Sequence, residues 1–114
     1  MDRENFAEAQ EKCSAFDASL VSFHNDPEYQ RVLEVIRENE EEDFIGPWIG
    51  LNDIIQEGTF VWYDPPQPDT PYDPNAFADF AVTGNTQLNN CVYIGNDGMG
   101  HAGDCSVQRP FICA

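Results

Sequence analysis

The chain has 114 residues, enough for one domain with a real core and too few for two. It carries 21 acidic against 5 basic side chains, a net charge of −16, a balance that repels nucleic acid and anionic membrane surfaces and attracts cations or basic partners. Fourteen aromatic residues argue against disorder, and no run approaches the ~18–20 apolar residues of a membrane helix.

Met1-Asp2-Arg3-Glu4 leads straight into a polar helix pattern, so Met1 reads as an added start, with a leader expected in the precursor. Phe6, Ala9, Cys13 and Phe16 recur at helical spacing, which predicts an amphipathic helix of about three turns with Cys13 on its buried face. Ser19–Phe23 reads as a short strand. Asn25-Asp26-Pro27-Glu28 is a helix start: a capping side chain, a proline in the first turn and a carboxylate on the positive end of the dipole. Tyr29, Val32, Leu33 and Ile36 supply the apolar stripe, and the helix runs to about Asn39, before the acidic run Glu40, Glu41, Glu42 and Asp43.

Beyond Gly46-Pro47 the periodicity changes to short β-branched and aromatic runs: 48–51, 59–63, 91–94 and 110–113. Between Tyr63 and Cys91 lies a long stretch holding five of the eight prolines, which suits an ordered but irregular loop. A second loop, Gly95–Asp104, has four glycines and is closed by Cys105. Helices first, then strands and a long loop, describe an α+β domain spanning 1–114.

Four cysteines, Cys13, Cys91, Cys105 and Cys113, include no Cys-x-x-Cys pair, and no histidine stands at metal-ligand spacing. Two disulfides in an oxidising compartment are the natural reading, with three pairings open. Residues 1–46 hold 13 acids and 4 bases, and residues 47–114 hold 8 acids and Arg109 alone. No hydrolase motif such as Gly-x-Ser-x-Gly or His-Glu-x-x-His occurs, and His101, with no second ligand at hand, reads as an exposed loop histidine. An enzyme is not expected.

Taken in order, the cysteine-bearing helix Asn5–Cys13, Ala18–Ser22, the signature Trp48-Ile49-Gly50-Leu51-Asn52-Asp53, Phe60-Val61-Trp62, Cys91–Ile94, and Cys105 with Arg109–Cys113 resemble the C-type lectin-like family over nearly the whole chain. The resemblance implies two helices flanking small antiparallel sheets, a long irregular loop, and the pairs Cys13–Cys113 and Cys91–Cys105. Family members usually place a strand before the first helix; here only four residues precede it, so either the chain is trimmed or that edge is left unpaired.

Sugar-binding members hold calcium through a Glu-Pro-Asn or Gln-Pro-Asp triplet and a Trp-Asn-Asp triplet, whose oxygens suit this hard cation. At the corresponding positions this chain has Gly84-Asn85-Thr86 and Gly100-His101-Ala102. Gln67-Pro68-Asp69 spells such a triplet but falls too early in the loop, and reads as a solvated proline turn. Asp97 and Asp104 read as turn residues, with partial replacement of the lost ligands as the alternative. The standard sugar site is expected to be absent, with no tightly bound cofactor and only weakly bound calcium.

The acids are distributed over the first helix (Glu4, Glu8, Glu11), the run Glu40, Glu41, Glu42 and Asp43, and the long loop (Asp64, Asp69, Asp73, Asp79). Spread carboxylates suit many weak calcium contacts or a mineral face better than one tight cage. Composition and the segment 65–80 resemble the acidic spicule matrix proteins of echinoderms. That resemblance implies a secreted protein of the extracellular matrix, partnered by calcium ions or calcium carbonate. The alternatives are a sugar-binding lectin with a rebuilt site, taking glycans, and a calcium-independent module that binds matrix proteins through exposed aromatics such as Tyr72 and Phe77.

Overall fold

The computed structural model describes residues 3–38, 46–63, 70–77, 80–84 and 89–114. Helix α1 (Phe6–Ser14) starts at Asn5, whose side-chain oxygen accepts from the Glu8 amide at 2.9 Å, filling one of the donors a helix leaves open at its first turn. Asn5→Ala is expected to cost about 1 kcal/mol, read as a shift in the urea unfolding curve. The helix stops short of Phe16: Asp17 turns into the left-handed region (φ 55°) and the Ala18 amide returns to the Cys13 carbonyl. Phe6, Ala9 and Cys13 are buried as expected, but Phe16 is 81% exposed, because the helical period no longer carries it once the helix has ended.

Helix α2 (Asp26–Glu38) has reciprocal capping. The Asn25 carboxamide oxygen accepts from the Glu28 amide, and the Glu28 carboxylate accepts from the His24 amide. Tyr29, Val32, Leu33 and Ile36 form its buried stripe.

Strands β1 (Trp48–Asn52), β2 (Val61–Trp62), β3 (Thr70–Pro71), β4 (Val82–Thr83), β5 (Cys91–Ile94) and β6 (Gly100–Gly103) form one sheet in the order β3-β2-β1-β5-β6-β4. Pairing is antiparallel except between β4 and β6, which run parallel, so the sheet is mixed. The expected strands at 19–23 and 110–113 are reduced to bridges, Leu20 with Cys113 and Trp48 with Phe111, tied by the Val21 amide to the Ile112 carbonyl at 2.8 Å. The edge ahead of α1 is not wholly bare: Glu4 exchanges both backbone hydrogen bonds with Arg109. The glycine-rich loop of the sequence is partly strand, since β6 runs through it.

Strand alternation divides the core in two. Trp48 and Cys91 face α1, packing with Phe6, Ala9, Cys13 and Leu20. Ile49, Leu51, Val92 and Ile94 face α2 and an aromatic cluster around Phe23. Gly50 sits where a Cβ would lie 3.1 Å from the Leu20 carbonyl oxygen and 3.3 Å from that of Tyr63, so the bare backbone lets two neighbouring chains approach β1. Two disulfides close the fold: Cys13–Cys113 joins α1 to the chain end, and Cys91–Cys105 joins β5 to the turn after β6.

Tyr72 and Phe77 are not the exposed contacts expected of them. Phe77 is buried, and Tyr72 is half-buried and stacked on it at 6.1 Å. Both reach back onto the α2 side of the sheet, since large rings gain more from the core than from solvent.

Candidate functional site

Strand β6, where the sequence resemblance would put the Trp-Asn-Asp triplet, contributes one member to a lateral row of side chains. Trp48 on β1 pairs with Tyr93 on β5, Tyr93 pairs with His101 on β6, and His101 pairs with Thr83 on β4. Because register partners point to the same face, the four side chains stand side by side across four strands. Trp48 is fully buried and donates from Nε1 to the Glu4 carbonyl at 3.1 Å; His101, near the other end, is 31% exposed.

Tyr93 is covered from one direction by the Arg109 guanidinium, 3.6 Å from the ring centroid, which also lies 5.3 Å from the Trp48 ring. This cation–π contact favours the charged guanidinium, whereas burial pushes the Arg109 pKa down from its ordinary value. The imidazole of His101 stacks on Tyr93 with ring centroids 5.5 Å apart.

His101 is therefore not an exposed loop residue. Its Nδ1 lies 3.2 Å from Thr83 Oγ1, and its Nε2 lies 3.1 Å from each carboxylate oxygen of Asp97. One neutral tautomer satisfies all three groups: the threonine hydroxyl donates to Nδ1 and Nε2–H donates to Asp97. Asp97 also accepts from the Met99 amide at 2.9 Å; this bond, then His101, holds its carboxyl below the usual carboxylate range. Asp104 likewise closes a turn, accepting from the amide and hydroxyl of Ser106, and is lowered by those bonds.

Strand β4 brings residues 82–83 of the long stretch beside 100–101. The triplet position counted in sequence, 84–86, begins one residue later, and Asn85 and Thr86 lie outside the described residues. Of the mineral candidates, Glu40, Glu41, Glu42, Asp43, Asp64 and Asp69 lie outside the described residues, as do Gln67 and Pro68. Asp73 caps a short 3-10 turn (Pro74–Ala76), accepting from the Asn75 amide at 2.9 Å. No group of three or more His, Cys, Asp or Glu among the described residues is placed to hold a metal ion.

The signature residues serve the scaffold: Trp48, Ile49 and Leu51 are wholly buried, and Gly50 admits the neighbouring backbone. Asn52 and Asp53 brace the loop after β1. The buried Asp53 carboxylate accepts from the Gly58 amide at 2.8 Å and, with the Asn90 carboxamide turned to donate, from Asn90 at 3.2 Å. Sequence reasoning missed the partnership of Thr83, His101 and Asp97. Only the spacing of Asp97 and His101 hinted at it; Thr83 gave no signal, since its place depends on β4 crossing to lie parallel with β6.

The helix pair, the mixed sheet and the two disulfides define a lectin-type binding domain. The chain belongs to the C-type lectin domain family, whose model matches residues 2–114. The human C-type mannose receptor 2 is 29% identical over 117 residues, or 98% of this chain, and the chain spans about 7% of that receptor's length. Among solved structures, the carbohydrate-recognition domain of the mouse scavenger receptor C-type lectin superposes with a TM-score of 0.78 at 22% identity, covering 99% of this chain and 81% of that one. The cow CD23 carbohydrate-recognition domain, determined in the presence of a GlcNAc2Man3 oligosaccharide, gives 0.69 at 25% identity, covering 97% and 79%.

Proposed function

We propose that this domain is a secreted, non-catalytic matrix module that meets calcium ions or calcium carbonate mineral through distributed carboxylates. The observation that carries the reading is the excess of 21 acidic over 5 basic side chains, spread over separate segments of the chain. At the start of α1, the side-chain hydrogen bond with Glu4, then burial and the charges of Glu4 and Glu11, hold the Glu8 carboxyl above its ordinary value, while Lys12, 2.6 Å from Glu4, holds that carboxyl below its own. A folded state that raises a carboxyl pKa is weakened by that group's charge at neutral pH, and divalent cations gathered on the face would relieve the repulsion. With a net charge of −16, the same holds for the molecule as a whole.

The β6 position supports the reading from the other side. Where sugar-binding relatives carry Trp-Asn-Asp, this chain has a glycine, an alanine and a histidine already engaged by Thr83 and Asp97. Two disulfides fit an oxidising, extracellular setting, and no helix among the described residues is long and apolar enough to cross a membrane.

A calcium titration at near-physiological and at high salt tests the proposal. Many weak sites suppressed by salt are expected, because exposed charges are screened; one saturable site indifferent to salt, or no binding at all, would overturn it. Changing Glu40, Glu41 and Glu42 to Gln together with Asp43 to Asn is expected to weaken adsorption to calcium carbonate several-fold with the melting curve preserved. Unchanged adsorption would remove that run from the surface.

A further inference from the structure

The turn between β5 and β6 contains the dipeptide Asp97-Gly98, a sequence prone to rearrangement. Glycine puts no Cβ in the way when its amide nitrogen approaches the preceding carboxyl carbon. In that reaction the Gly98 nitrogen bonds to Asp97 Cγ, a Cγ–O bond breaks, and one water leaves carrying the nitrogen's proton, which closes a succinimide. Water then adds at the ring carbonyl derived from the Asp97 main chain, and the bond from that carbon to the Gly98 nitrogen breaks; the nitrogen, taking up a proton, stays bonded to Cγ, giving isoaspartate with no net change in mass and one extra methylene in the backbone. The reactive form is the neutral carboxylic acid, because an ionised carboxylate is a poor electrophile.

Each requirement of this reaction meets an obstacle in the folded turn. The Gly98 amide donates to the Gly95 carbonyl at 3.0 Å, which holds the attacking nitrogen within the turn. The Asp97 carboxylate is pinned by the Met99 amide and by both of its contacts with His101. The same hydrogen bonds favour its ionised form, as its lowered pKa reflects. His101 is itself fixed, by Thr83 on one side and the Tyr93 ring on the other, and a Cβ at Gly95 would lie 2.7 Å from its ring. The side chain of Asp97 is nonetheless half exposed, so water reaches it.

We propose that Asp97-Gly98 is a latent isoaspartate site, kept in the normal linkage by His101 and the hydrogen bonds of the β5–β6 turn. The consequence of its failure is local. The extra methylene lengthens a turn whose Gly98 carbonyl accepts from the Tyr29 hydroxyl, the tie between that turn and α2. This inference is independent of the proposed mineral role.

The test is incubation at neutral pH and 37 °C, with isoaspartate at Asp97 quantified by chromatographic separation and mass spectrometry of the peptide. The folded protein is expected to accumulate it several-fold more slowly than the reduced, urea-denatured chain; equal rates would overturn the proposal without any variant. His101→Phe, which keeps a ring to stack on Tyr93 but loses the Nε2 donor, is expected to speed accumulation several-fold in folded protein. A folded H101F variant with the parent's rate would remove His101 from the protection.

Discussion

Replacing Cys13 and Cys113 with serine is expected to lower stability by about 4–5 kcal/mol, more than replacing Cys91 and Cys105. The two residues are 100 apart in sequence, and a bridge across so long a loop removes the most freedom from the unfolded chain. The bridge of Cys91 and Cys105 spans 14 residues, and the same account gives about 3 kcal/mol. Domains of this size are stable by only about 5–15 kcal/mol, so the Cys13→Ser/Cys113→Ser variant should be marginal at 37 °C. Unfolding free energies from urea curves near physiological ionic strength check the order. Salt matters because the net charge of −16 would otherwise add its own repulsion to both states. A greater loss from removing the Cys91–Cys105 bridge would show that native packing, not chain entropy, sets the ranking.

Phe23→Ala is expected to cost about 3–5 kcal/mol. The residue is wholly buried and its ring lies 5.3, 4.8, 5.7 and 4.9 Å from those of Tyr29, Trp62, Phe77 and Phe80, which places it among a helix, a strand and the long stretch before Cys91. Loss of the ring therefore removes an anchor from a segment with little regular structure of its own. Hydrogen exchange should quicken in residues 70–77 and 80–84 before it does in β1 and β5. Phe16→Ala is the control: at 81% exposure it should change stability by no more than about 0.5 kcal/mol. Similar losses from the two variants would contradict the burial assigned to each phenylalanine.

These two phenylalanines also mark how far the sequence could be read. The stripe of α2 was legible because it repeats over about two turns between a capped start and an acidic run, and all four stripe residues are buried. The end of α1 was not, because no glycine or proline stops it; Asp17 accepts a left-handed conformation that residues other than glycine seldom take, which a residue name does not announce. For the same reason Phe16 continues the apolar pattern on paper and leaves it in space. In the long stretch, Tyr72 and Phe77 lie among prolines and acids and looked like surface contacts, whereas their rings find the aromatic cluster beside α2. The long acidic run, and Asp64 and Asp69 with it, belong to the described chemistry only through the sequence.

The sequence by itself determined the family, through ordered motifs whose residues pack the core, and it determined the extreme acidity, since charge is a matter of composition. It also raised the expectation that Gly100-His101-Ala102 stands where sugar-binding members carry Trp-Asn-Asp. What only the tertiary structure decided was the company each residue keeps. The parallel pairing of β4 with β6 sets Thr83 against His101 across 18 positions, and the bridge of Glu4 with Arg109 pairs one residue of an edge that looked open. The physical reason is one of range. Periodicity, capping and charge are written in neighbouring residues, but partnerships across strands are fixed by the register that the whole core selects.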